Sequence, residues 1–205
     1  MRRKRGFMVY RDPKTGLKIH FRVDRSGRGV LVVNASRVLY ANRTAAFYIR
    51  LMLEGVPPEE AARKAVRAFR GVTLEQAKRD FEDVAYKVNS FIMGEACPIT
   101  YLGFRRLDPL SLKTDAPFRA DLALTYDCDN RCIHCYSSSP RWKGEMGTRE
   151  WKKVIEKLFS VGVPNLLFTG GEPTLREDLP ELIAYAEKIG AVTGLVTNGR
   201  RLADE

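Results

Sequence analysis

From Asp121 onward the chain alternates short apolar runs with helix-period segments, and this order leaves few folds open. Leu122-Ala123-Leu124-Thr125-Tyr126 reads as a buried strand, Leu166-Leu167-Phe168-Thr169 as a second and Val192 to Val196 as a third. Between the first two, Trp151, Val154, Ile155, Leu158 and Phe159 recur at helical spacing, with Thr148 placed to cap that helix. Between the second and third, Asp178-Leu-Pro-Glu181 resembles a capped helix start, followed by Leu182, Ile183, Ala186 and Ile189 on one face and Gly190 at the end. Strand–helix repetition of this kind predicts a parallel α/β sheet with right-handed crossovers. Ligands of such sheets bind at the carboxyl ends of the strands.

Those ends carry the unusual residues. Cys128-Asp-Asn-Arg-Cys132-Ile-His-Cys135 leaves the first strand, with spacing C-x3-C-x2-C. Thiolates are soft ligands suited to iron–sulfur clusters and zinc. Three of them can hold three irons of a four-iron cluster and leave the fourth without a protein ligand. A zinc site of the three cysteines plus His134 is the alternative. It would need the adjacent residues His134 and Cys135 both to turn toward one tetrahedral metal. A disulfide framework does not fit four cysteines in 205 residues with three of them clustered. After the second strand comes Gly170-Gly171-Glu172-Pro173, and after the third Thr197-Asn198-Gly199. Glycines let backbone approach a ligand closely, although a lone Gly-Gly can equally be a plain turn.

Cys128-x3-Cys132-x2-Cys135 after a strand, with Gly170-Gly171-Glu172-Pro173 after the next, resembles the pattern of the radical S-adenosylmethionine (radical SAM) enzymes. The resemblance implies a [4Fe–4S] cluster on Cys128, Cys132 and Cys135. It implies S-adenosyl-L-methionine on the open iron and its reductive cleavage to a 5′-deoxyadenosyl radical, with an external electron donor. It further implies that Gly170 and Gly171 meet the methionyl amino group, that Glu172 braces the motif, and that Thr197 and Asn198 lie near cofactor or substrate. His134 would support the adenine through its backbone. No catalytic acid or base is implied. The family's partial TIM barrel has more strand–helix units than the three strands and two helices present. The chain is therefore expected to be a truncated part of a longer enzyme.

The front of the chain differs in charge. Residues 1–94 hold 20 Lys and Arg against 9 Asp and Glu, a net +11, whereas residues 95–205 hold 15 against 16. Such asymmetry marks a separate module with an electrostatic preference for acidic partners, or an arginine-rich solvated surface. Phe7 to Tyr10, Leu17 to Val23, Val30 to Val33 and Val38 to Tyr40 read as short strands. Leu17 to Val23 alternates apolar and polar, which predicts one buried face and leaves His20 at the surface. Three helices follow. Thr44 is placed to cap the first and Gly55 ends it; Pro57-Pro58-Glu59-Glu60 opens the second and Gly71 stops it; Thr73-x-x-Gln76 opens the third, whose apolar face runs from Leu74 to Ile92 before Gly94.

This small α+β, winged-helix-like order, with Leu39-Tyr40-Ala41-Asn42-Arg43-Thr44 and the helix to Leu53-Glu54-Gly55, is similar to the RiPP recognition element. That peptide-binding domain is related to the chaperone of pyrroloquinoline quinone biosynthesis. The likeness implies a precursor (leader) peptide added to the sheet edge beside the third helix. A winged-helix DNA reader shares the charge and helix count. Residues 73–93 carry only Lys78, Arg79 and Lys87 against four acids, so nucleic acid is not the expected partner. The expected organisation is a recognition domain over 1–94, a linker over 95–120 containing the lone thiol Cys97, and the start of a barrel over 121–205. The substrate is expected to be a ribosomally made peptide, with a haem or metal-cofactor precursor, or a non-catalytic adaptor carrying a redox cluster, as alternatives. No apolar run approaches the ~18 residues of a membrane span and no signal peptide is present, so the expected site is the cytoplasm.

Overall fold

The computed structural model describes residues 2–4, 6–13, 15–95, 102–104, 114–136 and 144–202. Cys97 and most of the expected linker lie outside the described residues. The chain divides into two compact units, Met1–Asp115 and Ala116–Glu205.

The first unit opens with five strands, β1 (Arg2–Lys4), β2 (Phe7–Arg11), β3 (Lys18–Val23), β4 (Gly29–Val33) and β5 (Arg37–Ala41). They form an antiparallel sheet in sequence order, so that β1 and β5 are its edges among the described residues. Three helices follow, α1 (Arg43–Leu53), α2 (Pro58–Ala68) and α3 (Leu74–Met93). Alternate residues of the sheet, among them Met8, Ile19, Phe21, Leu31 and Val33, pack with Ile49 of α1 and Val88, Phe91 and Ile92 of α3. Leu102 is buried in this cluster with Phe104 against it, so part of the expected linker belongs to the first unit's core. A second cluster joins the helices through Tyr48, Leu51, Ala61, Ala62, Ala65, Ala77 and Phe81. The small alanines let α2 approach its neighbours closely.

Several helix ends follow the sequence. Pro57 and Pro58 open α2 with Glu59 and Glu60 in the first turn, and Thr73 Oγ1 accepts from Gln76 N at 3.2 Å at the start of α3. Gly94, at φ 74°, ends α3. Others do not. The cap of α1 is Asn42, whose Oδ1 accepts from Ala45 N at 2.8 Å; Thr44 lies inside the helix. Helix α2 stops at Ala68, three residues before Gly71. Leu74 is exposed despite its place in the apolar pattern.

The largest difference is His20. It is 1% exposed and its ring stacks on Phe7, with centroids 5.8 Å apart. Lys18 and Arg22, on the same face of β3, are buried as well. Alternation of residue type does not dictate which face meets water. Phe7 pairs with Arg22 and so stands diagonally across from His20, within reach of a ring.

The second unit contains β6 (Arg119–Thr125), α4 (Thr148–Ser160), β7 (Asn165–Gly170), α5 (Leu179–Ile189) and β8 (Val192–Leu195), with 3₁₀ turns at Pro173–Leu175 and Arg200–Leu202. The three strands are parallel in the order β6-β7-β8. Leu122, Leu124, Leu166 and Phe168 are buried in the sheet, and Trp151, Ile155, Phe159, Leu182 and Ala186 on the helices. Lys152 pairs with Glu181 and Tyr185 donates to Glu156, tying α4 to α5.

The starts of α4 and α5 depart from expectation. Gly147 is the cap residue of α4, and Glu150 accepts from its N–H at 2.9 Å. Thr148 instead donates its hydroxyl to Asp178 at 2.6 Å. Asp178 precedes α5 but makes no side-chain cap, because its carboxylate is committed to Thr148 and Arg176. Among the described residues, no helix is long and apolar enough to cross a membrane.

Candidate functional site

The carboxyl ends of β6, β7 and β8 bring the three sequence motifs together. Parallel pairing of β6 with β7 runs regularly to Ala123↔Thr169 and then shifts, so that Thr125 meets Gly170. The irregularity draws the end of β6 tightly against Gly170 and Gly171. A Cβ on Gly170, which lies at φ 137°, would stand 2.1 Å from the Thr125 carbonyl oxygen, and one on Gly171 would stand 2.2 Å from that of Asp127. Any side chain there would collide with backbone. The two glycines are therefore required by the strand beside them, an explanation that does not need a ligand.

The close approach is sealed by hydrogen bonds. Gly171 N donates to Thr125 O at 2.8 Å and Glu172 N to Asp127 O at 2.7 Å, which fastens the root of the cysteine loop to the end of β7.

Glu172 is 1% exposed, and four donors meet its carboxylate. They are Thr174 N at 3.0 Å, Thr174 Oγ1 at 2.6 Å, Thr197 Oγ1 at 2.7 Å and Asn198 N at 2.7 Å. Burial pushes its acidity toward the protonated form. The hydrogen bonds from Thr174, Asn198 and Thr197 outweigh it and hold the group below the usual carboxylate range. Glu172 is thus a fixed anion joining the ends of β7 and β8, poorly suited to accept a proton near neutrality.

The cysteine loop starts at the end of β6. Cys128 and Cys135 are partly exposed and Cys132 is exposed, and none of the three is in a disulfide. Asn130 N donates toward Cys128 Sγ at 3.4 Å, and Cys135 N to Cys132 O at 3.2 Å. His134 is exposed and Ile133 fully so. Among the described residues no three Cys, His, Asp or Glu side chains converge to hold one ion. The donor set on this one short loop, three soft thiolates, fits three irons of a four-iron cluster.

Asn198 makes a contact not expected from sequence. Its Nδ2 donates to Asp129 Oδ1 at 2.7 Å, and its N–H serves Glu172, so the polar groups expected near a cofactor are engaged within the protein.

Two further residues shape the site without having been singled out from sequence. Arg176 donates Nη1 to the carbonyl of Leu124 at 3.1 Å, Nη2 to that of Met146 at 3.2 Å, and Nε and Nη2 to Asp178 at 2.9 and 2.8 Å. Leu124 is the residue skipped by the register shift, and its buried carbonyl needs a donor. Asp178 is held below the usual carboxylate range, first by the hydrogen bonds from Arg176, against the opposing effect of burial, and then by Thr148. Glu145 accepts from Thr125 Oγ1 at 2.6 Å and from Tyr126 N at 3.0 Å, anchoring the strand end where the loop departs. The only hint in sequence was Arg176 lying four residues after Glu172 in a turn, too common a pattern to stand out.

Residues 122–205 match the Radical SAM superfamily. The chain is 45% identical over 78 residues to the Fe-coproporphyrin III synthase of Methanosarcina barkeri, covering 37% of this chain and 20% of that protein. It is 38% identical over 91 residues to the PqqA peptide cyclase of Rhodopseudomonas palustris, covering 43% and 24%, and 38% identical over 102 residues to the mycofactocin maturase of Mycobacterium tuberculosis, covering 49% and 26%. It thus spans about a fifth to a quarter of the length of these curated relatives. Among solved structures, Streptococcus suis SuiB bound to its precursor peptide SuiA matches with a TM-score of 0.56 at 17% identity, over 95% of this chain and 43% of that one. SuiB bound to S-adenosylmethionine matches with a TM-score of 0.55 at 16% identity, over 89% and 41%. At that identity the likeness is one of fold. Residues 122–205, which carry the strand-end motifs, are thus similar to a radical SAM domain.

Proposed function

We propose that this chain carries the cluster- and cofactor-binding start of a radical SAM enzyme that modifies a ribosomally made precursor peptide in the cytoplasm. One observation carries the reading: the cysteine loop, Gly170-Gly171-Glu172 and Thr197-Asn198 meet at the carboxyl ends of three adjacent parallel strands, with Glu172 bonded to both neighbours. Cys128, Cys132 and Cys135 would hold a [4Fe–4S] cluster, and its open iron would take S-adenosylmethionine. The bound cluster, fed by an external electron donor, would supply reductive cleavage of that cofactor and hydrogen abstraction from the substrate. The protein's part is positional. Gly170 and Gly171 bring β7 against the root of the loop, Glu172 holds the ends of β7 and β8, and Arg176 and Glu145 hold the end of β6. The exposed His134 is assigned to the adenine through its backbone. Any contact from Thr197 or Asn198 to the cofactor would also come from backbone, since their side chains are occupied.

The first unit is assigned the capture of an extended, acidic leader segment along β5 beside α3. Three things support this: the net +11 of residues 1–94, the position of β5 at a sheet edge, and a fold shared with SuiB, a protein solved with its precursor peptide. The names of the peptide cyclase and of SuiB's partner point to peptides as the substrate class. A second reading replaces the peptide by a tetrapyrrole and rests on the 45% identity to the Fe-coproporphyrin III synthase.

The test is anaerobic reconstitution of the full chain followed by titration. The expected result is about four irons per chain, lost in Cys132→Ala and kept in Cys97→Ala. Binding of an acidic leader-type peptide should weaken as salt rises. Bound zinc without iron, after anaerobic expression with iron supplied, would sink the cluster. Preference for an iron porphyrin over any peptide would favour the second reading, and preference for duplex DNA would remove the first unit's assignment.

A further inference from the structure

The residues between the first two cysteines are Asp129, Asn130 and Arg131, and two of them are held from the far end of the sheet. Asp129 Oδ1 accepts from Asn198 Nδ2 at 2.7 Å, and Asp129 Oδ2 stands 3.9 Å from Arg200 Nε. Arg200 Nη1 donates to Asn130 Oδ1 at 2.9 Å and to the carbonyl of Asp129 at 3.4 Å. Arg200 and Asn198 also brace each other, through Arg200 N to Asn198 Oδ1 at 3.0 Å. The backbone of Asn198 is in turn fixed by Glu172. A continuous chain of hydrogen bonds therefore runs from Glu172, through the segment after β8, to the first half of the cysteine loop.

That half has no helix or strand of its own, and its ends carry Cys128 and Cys132. The second half is short and closes on itself through Cys135 N to Cys132 O. The spacing of Cys128 relative to Cys132 depends on a longer span, in which Asp129 and Asn130 are the residues gripped. We infer that Asn198 and Arg200 are positioning residues that set the Cys128–Cys132 half of the thiolate set by acting through Asp129 and Asn130. The inference rests on the cluster reading above and adds a role to residues whose side chains contact Asp129 and Asn130. A pre-set pair of thiolates pays less ordering entropy when metal binds and releases it more slowly.

An exchange of partners tests it. Asn198→Asp sets two carboxylates against each other, and Asp129→Asn keeps an acceptor for Asn198 but exchanges a charged hydrogen bond for a neutral one and removes the anion beside Arg200. The double variant Asp129→Asn with Asn198→Asp restores one amide, one carboxylate and an anion within reach of Arg200. In metal-free protein each single variant should lower the urea midpoint of the second unit, followed by tryptophan emission, and the double variant should recover it. In anaerobically loaded protein, iron loss to a chelator, measured in the absence of urea, should quicken about tenfold in each single variant. It should return to within about twofold of wild type in the double, with the electron paramagnetic resonance line shape of the reduced protein following the same order. Midpoints that show no recovery in the double variant would overturn the contact. Recovered midpoints with iron loss unchanged throughout would leave a structural brace and overturn the positioning role. Wild-type protein that takes up no iron would sink the cluster reading and this assignment together, an outcome separable from normal uptake with unaffected variants.

Discussion

The two units are held together by different means. In the first, the sheet and helices are joined by two apolar clusters, and polar contacts at helix ends, such as Thr73 to Gln76 N or Arg37 to the carbonyls of Phe91 and Ile92, trim the edges. In the second, the strand ends are joined by named polar pairs and by the absence of two side chains. Apolar packing is non-directional, so many sequences with the right volume can satisfy it. A buried carboxylate with four donors, or a carbonyl 2.2 Å from where a Cβ would stand, admits very few. The difference teaches where function sits: the second unit spends its specificity at the strand ends that carry the cysteine loop.

The sharpest break of this comparison is Gly171→Ala. Its new Cβ would meet backbone oxygens of both Asp127 and Tyr126, and backbone cannot swing aside. The expected loss is more than about 4 kcal/mol, read as vanished hydrogen-exchange protection in β6 to β8. Retained protection would mean that the strand ends are looser than they look. In the first unit, Leu31→Ala removes a fully buried side chain from the sheet–helix core. It should cost about 3–4 kcal/mol, and repacking variants such as Leu31→Met should restore most of it. Failure of such swaps would erase the contrast between packing and directional contacts.

Glu172→Gln should cost about 2–3 kcal/mol at pH 7, because an amide NH₂ would then face donors. The pH dependence sharpens the point. Glu172 and Asp178 both have lowered native values, so their contribution is complete above the ordinary carboxylate pKa of about 4 and is lost as pH falls through the lowered values. Acid unfolding of the second unit, followed by tryptophan emission since both tryptophans lie at 142 and 151, should shift to higher pH if Arg176 is replaced by Met. In Glu172→Gln the same transition should be shallower. The smallest expected effect is Thr73→Ala, about 1 kcal/mol for a lost helix cap, seen as a small drop in the melting temperature reported by helical circular dichroism.

Much of the site was legible because it is local. Cys128, Cys132 and Cys135 are close in sequence, and each motif follows an apolar run that can be read as a strand, so their common location follows from the parallel topology alone. The carboxylate of Glu172 is buried and takes four donors, two of them from the segment after β8. The reason for Gly170 and Gly171 was not legible, because the carbonyls they avoid belong to residues more than forty positions earlier.

By itself, the sequence determined the order of elements from β2 onward, though not the strand β1 before it, as well as the charge contrast between the two parts, the proline start of α2 and the stops at Gly94 and Gly190. These depend on side-chain period, on backbone freedom at one residue, or on composition, and none of them needs a distant partner. Only the tertiary structure decided which candidate caps were used and which polar residues were buried. Asn42 rather than Thr44 caps α1, Thr148 turns from its own helix to Asp178 thirty residues on, and His20 lies under Phe7 instead of in water. In each case more than one environment was open to the residue, and the choice falls to whichever partner the packed chain brings within hydrogen-bonding or stacking distance. Arg176 and Asn198 obey the same rule: their donors are evident in the sequence, but the acceptors at Leu124 and Asp129 exist only once the three strands lie side by side.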